Sequence, residues 1–167
     1  MKAIVAVDEA WGIGKDGKLL THLPEDMKFF RTVTKGKVVV MGRKTLQSFP
    51  DAKPLKNRIN IVLTSDDAIN GEGLIVCRSV DDALNQLKEY DSDDVYIIGG
   101  QSIYEQFLPY CDTAYVTRMN RDFGADTWFV NLDSQEGWEE TETGEEKEYE
   151  GLHFAFCTYK NRNCLNR

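Results

Sequence analysis

The chain is poor in the side chains that staple a small fold or hold a metal. It has four cysteines, Cys77, Cys111, Cys157 and Cys164, and two histidines, His22 and His153. The cysteines are widely scattered and form no Cys-x-x-Cys pair. They read as reduced thiols and not as a disulfide frame or zinc site. A histidine-rich metal centre is likewise not expected, so no metal is assigned. Positive charge is also short, with 20 Lys and Arg against 28 Asp and Glu and a formal net charge of -8. A general nucleic-acid binder needs a basic face, which this balance excludes. An anionic ligand can still be held, but only where cations and backbone N–H groups are concentrated locally. No apolar run approaches the roughly 20 residues of a membrane span. Met1-Lys2-Ala3-Ile4-Val5 runs straight into a strand-like segment with no signal-peptide pattern before it, so a cytoplasmic protein without membrane partners is expected. Repeats, linkers and low-complexity tracts are missing too. A single domain over residues 1–160 is expected, with a loose polar tail over 161–167, and a monomer, since no exposed apolar seam is visible.

What the chain does have is a regular alternation. Ala3–Val7, Val38–Met41, Ile59–Leu63, Leu74–Val76, Val95–Ile98 and Ala114–Thr117 are short β-branched runs, suited to strands buried on both faces. Pro24–Thr34, Val80–Tyr90 and Ser102–Leu108 are amphipathic, and Lys44–Ser48 can form a further helical turn. Strands alternating with helices predict an α/β fold with a twisted, mostly parallel sheet. After Ala114 no good helix remains. Trp138–Tyr149 is acidic and Leu152–Tyr159 alternates, so an antiparallel C-terminal edge is expected.

Four segments could carry chemistry. Gly12-Ile13-Gly14-Lys15-Asp16-Gly17 matches G-x-G-x-x-G formally, but no helix opens at these glycines and no acid ends the next strand. A mobile glycine-rich loop beside a site is the better reading. Leu23-Pro24-Glu25-Asp26 starts a helix with proline in the first turn. On the helical period Leu23, Met27, Phe30 and Val33 form an apolar stripe, and Asp26 points toward that side while Glu25 does not. Two explanations of Asp26 stay open at this point: an acid favoured by the helix dipole, or a functional carboxylate in apolar company. Gly42-Arg43-Lys44-Thr45 and Gly99-Gly100-Gln101-Ser102 each follow a strand and open a helix. Both offer backbone N–H groups to phosphates, and together they suggest a ligand crevice at the carboxyl ends of parallel strands.

In order along the chain, Ala6, Ile13-Gly14, Leu23-Pro24-Glu25-Asp26 with Phe29-Phe30, and Val40-Met41-Gly42-Arg43-Lys44-Thr45 closely resemble the dihydrofolate reductase family. So do Pro54-Leu55-Lys56-Asn57-Arg58, Ile98-Gly99-Gly100-Gln101-Ser102-Ile103-Tyr104, Thr117 and Ala125-Asp126-Thr127-Trp128-Phe129. The resemblance implies a sheet of about eight strands flanked by about four helices. It implies NADPH-dependent reduction of dihydrofolate to tetrahydrofolate by hydride transfer, in support of one-carbon and thymidylate metabolism. In that family pattern Asp26 grips the pterin 2-amino group and ring nitrogen-3, with Thr117 beside it. Ala6, Met27, Phe30, Phe49 and Leu55 line the pterin and aminobenzoyl pocket, and Arg58 pairs with the tail α-carboxylate as a planar fork. Arg43, Lys44 and Thr45, after Gly42, hold the adenosine phosphates with Ser65 and Arg78. Ile98, Gly99, Gly100, Gln101 and Ser102 receive the pyrophosphate. Ala6, Ile13, Gly14 and Tyr104 lie near the nicotinamide. The cationic cluster favours NADPH over NADH, and Asp66 is the one residue that weakens this preference.

The chain departs from the family where many members carry Pro-Trp and it has Leu20-Thr21. Two rival functions share the implied fold: the reductase of riboflavin synthesis and a non-catalytic pterin or nucleotide carrier. Asp26 and Arg58 favour a folate over the first, and the full set of matched positions stands against the second.

Overall fold

A computed structural model describes all 167 residues. The strands of the main sheet are β1 (Lys2–Val7), β4 (Val38–Gly42), β5 (Ile59–Leu63), β6 (Leu74–Cys77), β7 (Val95–Gly99), β8 (Thr113–Met119), β10 (Trp138–Thr143), β11 (Lys147–Tyr149) and β12 (Leu152–Asn161). Their order is β10-β12-β8-β1-β7-β4-β5-β6, with β11 also pairing β12. Every pairing from β8 to β6 is parallel, and β12 joins β8 and β10 antiparallel. Sequence alternation therefore reported the architecture correctly, including the antiparallel edge.

Four helices, α1 (Pro24–Thr34), α2 (Arg43–Ser48), α3 (Val80–Leu87) and α4 (Gln101–Phe107), cover the two faces. Successive strand residues serve opposite faces, as the pleat requires. On β4, Val38 and Val40 pack with α3 and α4, whereas Val39 and Met41 pack on the face of α1 and α2. All four are buried, which explains why the run is apolar throughout and does not alternate. Helix α3 has an N-cap, Ser79, whose hydroxyl accepts from the Asp82 N–H, and it buries Ala83, Leu84 and Leu87.

Two expectations are corrected. The glycine-rich segment is not a loose loop: β2 (Gly12–Lys15) pairs antiparallel with β3 (Lys18–Leu19) and with β9 (Thr127–Trp128) in a small separate sheet. Its pairing partner lies far along the chain, which no local pattern announces. The polar tail is also docked and not loose. Leu165 N–H donates to Pro109 O at 2.9 Å, and the Arg167 guanidinium donates to Leu87 O and Tyr90 O at 2.5 and 3.0 Å.

Candidate functional site

The parallel strands end on one edge, and most of the expected site residues are there. Ala6 is near the end of β1, Gly42 ends β4, Ser65 and Arg78 follow β5 and β6, and Gly99 ends β7. Ala6 pairs in register with Thr117 on β8, and Thr117 pairs in turn with Phe156 on β12. Helix α1 crosses this level, so its first turn faces the junction of β1 and β8. Asp26 sits there, and the buried Thr117 hydroxyl donates to Asp26 Oδ1 at 2.6 Å. Burial pushes the Asp26 carboxyl above the usual range, and the Thr117 hydrogen bond opposes that rise. Helix-dipole stabilisation alone would not require a partner on a distant strand, so the open question about Asp26 resolves toward a site. Glu25, its neighbour, faces out and pairs with Lys147 at 3.3 Å.

The flanking wall is apolar and half-buried. Met27 and Phe30 come from α1, Phe49 follows α2, and Leu55 lies in the turn before β5. Of the predicted stripe only Leu23 is fully buried. Met27, Phe30 and Val33 keep an accessible side, as residues lining a recess would. Arg58 is placed at the far end of this wall. Its Nε donates to Thr34 Oγ1 at 2.8 Å, its Nη1 to Lys56 O at 2.9 Å, and its guanidinium lies 5.9 Å from the Phe30 ring centre. Burial and the nearby Arg31 charge lower its pKa from the ordinary arginine value.

The nucleotide half is built from two turns. Helices α2 and α4 begin directly after Gly42 and Gly100, and no side chain caps either. Their first N–H groups are therefore available to an anion. A Cβ on Gly100 would stand 4.0 Å from Thr45 Oγ1, so the two turns face each other. A Cβ on Gly42 would come within 3.1 Å of Ile103, and one on Gly99 within 3.0 Å of the Tyr104 ring, so glycine keeps these backbones close to α4. Arg43 is half-buried and Lys44 exposed, and neither is engaged in an ion pair. Uncapped turns and unneutralised cations fit a phosphorylated dinucleotide.

Other expected residues are placed with more defined roles. Tyr104 is buried, and its hydroxyl donates to Ile4 O at 2.7 Å. Desolvation raises its pKa, so the phenol is neutral. Arg78 is partly committed, donating to Thr64 O and Asp66 O at 3.1 and 3.0 Å and lying 3.6 Å from Asp67. Asp66 Oδ1 accepts from the Ala68 N–H, a local turn that occupies the acid suspected of weakening phosphate binding. Ile13 is half-buried and Gly14 buried in β2, Ile98 is half-buried, and Ser65 and Ser102 are exposed. Leu20 and Thr21 are half-buried between β3 and α1.

Two residues were missed. Asn60, on β5, is buried and binds both Leu55 N–H and Leu55 O, at 3.0 and 2.9 Å, bracing the turn that presents Arg58. Asp8 is also buried. Its carboxylate accepts from Ala10, Gly12 and Phe123 N–H at 2.9, 2.7 and 3.0 Å, tying the start of β2 to the segment before β9. A lone polar residue inside or just after an apolar run was the available signal for both.

Fold and site together define an open α/β protein with a half-buried carboxylate on α1 and two uncapped helix starts at the carboxyl ends of its parallel strands. Comparison with known proteins narrows this. A dihydrofolate reductase family model matches residues 1–161. The chain is 34% identical over 162 residues to the dihydrofolate reductase of Bacillus subtilis, spanning 96% of this chain and 94% of that one. It is 35% identical over 161 residues to that of Staphylococcus haemolyticus, spanning 94% and 93%. A solved dihydrofolate reductase from Enterococcus faecalis, complexed with NADP(H) and RAB-propyl, matches with a TM-score of 0.84 at 36% identity, covering 96% of this chain and 95% of that one. The chain belongs to the dihydrofolate reductase family.

Proposed function

We propose that the protein reduces 7,8-dihydrofolate to 5,6,7,8-tetrahydrofolate with NADPH. The observation that carries this reading is the hydrogen-bonded Asp26–Thr117 pair, with Thr117 in register with Ala6 of β1. Asp26 Oδ2 and the remaining lone pairs of Oδ1 would accept from the 2-amino group and ring nitrogen-3 of the pterin. Its charge would favour the protonated pterin, with the proton for nitrogen-5 coming from solvent. Met27, Phe30, Phe49, Leu55 and Ala6 would enclose the ring system and exclude water, and Arg58 would take the tail α-carboxylate.

NADPH, when bound, supplies the hydride. Residues Gly42, Arg43, Lys44 and Thr45, with Ser65 and Arg78, would hold its adenosine phosphates. Gly99, Gly100, Gln101 and Ser102, after Ile98, would take the pyrophosphate, while Ala6, Ile13 and Gly14 would border the nicotinamide. Tyr104, with its hydroxyl spent on Ile4, would act by packing beneath Gly99. Residues 1–160 would act as one domain, with 161–167 a docked extension. A monomer is favoured by the dispersal of the exposed large apolar side chains over the small sheet (Leu19, Trp128), β5 (Ile59), β11 (Tyr149) and the tail (Leu165). A reducing, cytoplasmic setting suits four cysteines that are all free.

The test is loss of NADPH absorbance on adding dihydrofolate, with and without methotrexate. Dihydrofolate-dependent oxidation that methotrexate blocks supports the assignment. No turnover would overturn it.

A further inference from the structure

Trp11 stands immediately before the glycine-rich strand β2, in a conformation that tryptophan rarely adopts. Its φ is 62°, in the left-handed region where a bulky side chain is an outlier. Such a conformation persists only where the surrounding contacts over-determine it. Main-chain bonds hold both sides of the residue: Trp11 N–H donates to Asp8 O at 3.0 Å, and Phe129 N–H donates to Trp11 O at 2.8 Å. The buried indole lies nearly parallel to the Phe129 ring, with 6.3 Å between centres and 21° between planes. Phe129 in turn meets the Tyr104 ring edge-to-face at 4.8 Å. Tyr104 packs beneath Gly99, so three rings join Trp11 to the end of β7.

Trp11 also carries a charge over its ring, the Arg118 guanidinium, whose carbon is 5.1 Å from the ring centre. That cation is itself fixed. Arg118 Nη1 lies 3.1 Å from Asp133 Oδ2 and 3.7 Å from Glu140 Oε2, and it donates to the Tyr159 hydroxyl at 3.1 Å. The Tyr159 hydroxyl donates to Asp133 Oδ1 at 2.7 Å, and the buried Tyr159 ring meets Trp11 edge-on at 5.9 Å. Two acids and a phenol therefore hold one cation over one ring. A tryptophan that only fills the core needs the burial but not the fixed cation.

We propose that Trp11, clamped by Arg118, is a positioning residue for the nicotinamide end of the cofactor. The proposal rests on the function given above, in which Ile13 and Gly14 border the nicotinamide and Tyr104 supports Gly99. Trp11 is one residue from Gly12 and two from Ile13, and the ring column leads from it to Gly99, so a displaced indole moves both borders. The adenosine phosphates would be held by Arg43, Lys44, Thr45, Ser65 and Arg78, which come from other segments.

Calorimetric titration with NADPH and with adenosine 2′,5′-bisphosphate, which lacks the nicotinamide, tests this. Trp11→Gly removes the ring and keeps a residue that accepts the left-handed backbone. Arg118→Met, at a side chain 36% exposed, removes the charge and keeps an apolar stem. Each should weaken NADPH binding by about 3–10-fold and leave the bisphosphate within about twofold of its native affinity. Single-turnover hydride transfer should slow by a similar factor at saturating NADPH, with the KM for dihydrofolate unchanged. Trp11→Phe, which retains a ring, should recover part of both losses. Equal loss for the two ligands, or no loss for NADPH, would overturn the proposal and leave Trp11 as core filling. Should Trp11→Gly fail to fold, Arg118→Met decides by the same outcomes. If the native protein binds neither ligand, the functional assignment falls and the proposal with it. If it binds both and no variant separates them, the proposal alone falls.

Discussion

Gln101 Oε1 accepts a hydrogen bond from the Trp128 N–H at 3.0 Å, joining the first residue of α4 to strand β9 of the small sheet. The turn proposed to hold the cofactor phosphates and the glycine-rich hairpin are therefore coupled through one side chain. A neutral hydrogen bond contributes about 1 kcal/mol net, so Gln101→Leu should weaken NADPH binding by roughly fivefold. Fluorescence titration checks it, and the loss should appear in dissociation of the cofactor more than in folding stability.

Asp26→Asn should separate activity from stability. Dihydrofolate reduction at neutral pH should fall by orders of magnitude, because the charge proposed to favour the protonated pterin is gone. Stability should move the other way. The folded-state pKa of Asp26 is raised, so between its unfolded and folded values the native protein holds more protons, and stability declines as pH rises through that window. The amide removes this loss, so the variant should be more stable at pH 7 by about 0.5–2 kcal/mol, the range typical of relieving a functional compromise. The difference should vanish below the ordinary carboxylate range. Urea unfolding across pH reads it directly.

Thr117→Val removes the hydrogen bond that opposes the upward shift of Asp26. The acid limb of the kcat/KM profile should move to higher pH. Hydrogen bonds to charged groups are worth about 1.5–3 kcal/mol, which corresponds to a loss of roughly 10- to 100-fold near neutrality. A uniform loss with an unmoved profile would contradict the coupling.

Gly99→Ala should be poorly tolerated. Gly99 has φ of 115°, and a Cβ there would lie 3.0 Å from the Tyr104 ring, which is anchored on Ile4. Strain of this kind costs about 1–3 kcal/mol, visible as a lowered Tm together with weaker NADPH binding.

Asp8→Asn keeps an acceptor for Gly12 but turns an NH₂ group toward the Phe123 N–H, where a carboxylate oxygen had been. Leaving a buried donor unpaired costs about 1–3 kcal/mol, and the part-buried Phe123 N–H falls at the low end of that range. The hairpin should loosen, with faster hydrogen exchange at Gly12 and Gly14 while exchange in the main sheet is unchanged.

The main sheet could be read from the sequence because its strands are buried on both faces and leave unbroken apolar runs, as in Val38–Met41. The helices were visible through their phase. The phase argument for Asp26 depended on one turn of α1, but its partner Thr117 came from β8, and only the family resemblance linked the two beforehand. What stayed hidden is held together by distant or polar contacts. Gly12 pairs with Trp128, but β2 holds two glycines in four residues and β9 is only two residues long, so neither shows a strand period. Asp8 and Asn60 act on main-chain groups of neighbouring turns, which composition does not reveal.

Strand β1 lies between β7 and β8, so the first segment of the chain has neither of its sheet neighbours until residues 95–119 exist. During synthesis the N-terminal strand must wait, apolar and unpaired, while most of the chain is made. Such non-local pairing slows folding and leaves an edge open to aggregation or proteolysis. The junction that holds Ala6, Asp26 and Thr117 cannot close before Thr117 has been made. Ligands that bind it act only on chains that have already matured, so they should raise the yield of finished protein by trapping it and should not hasten its formation.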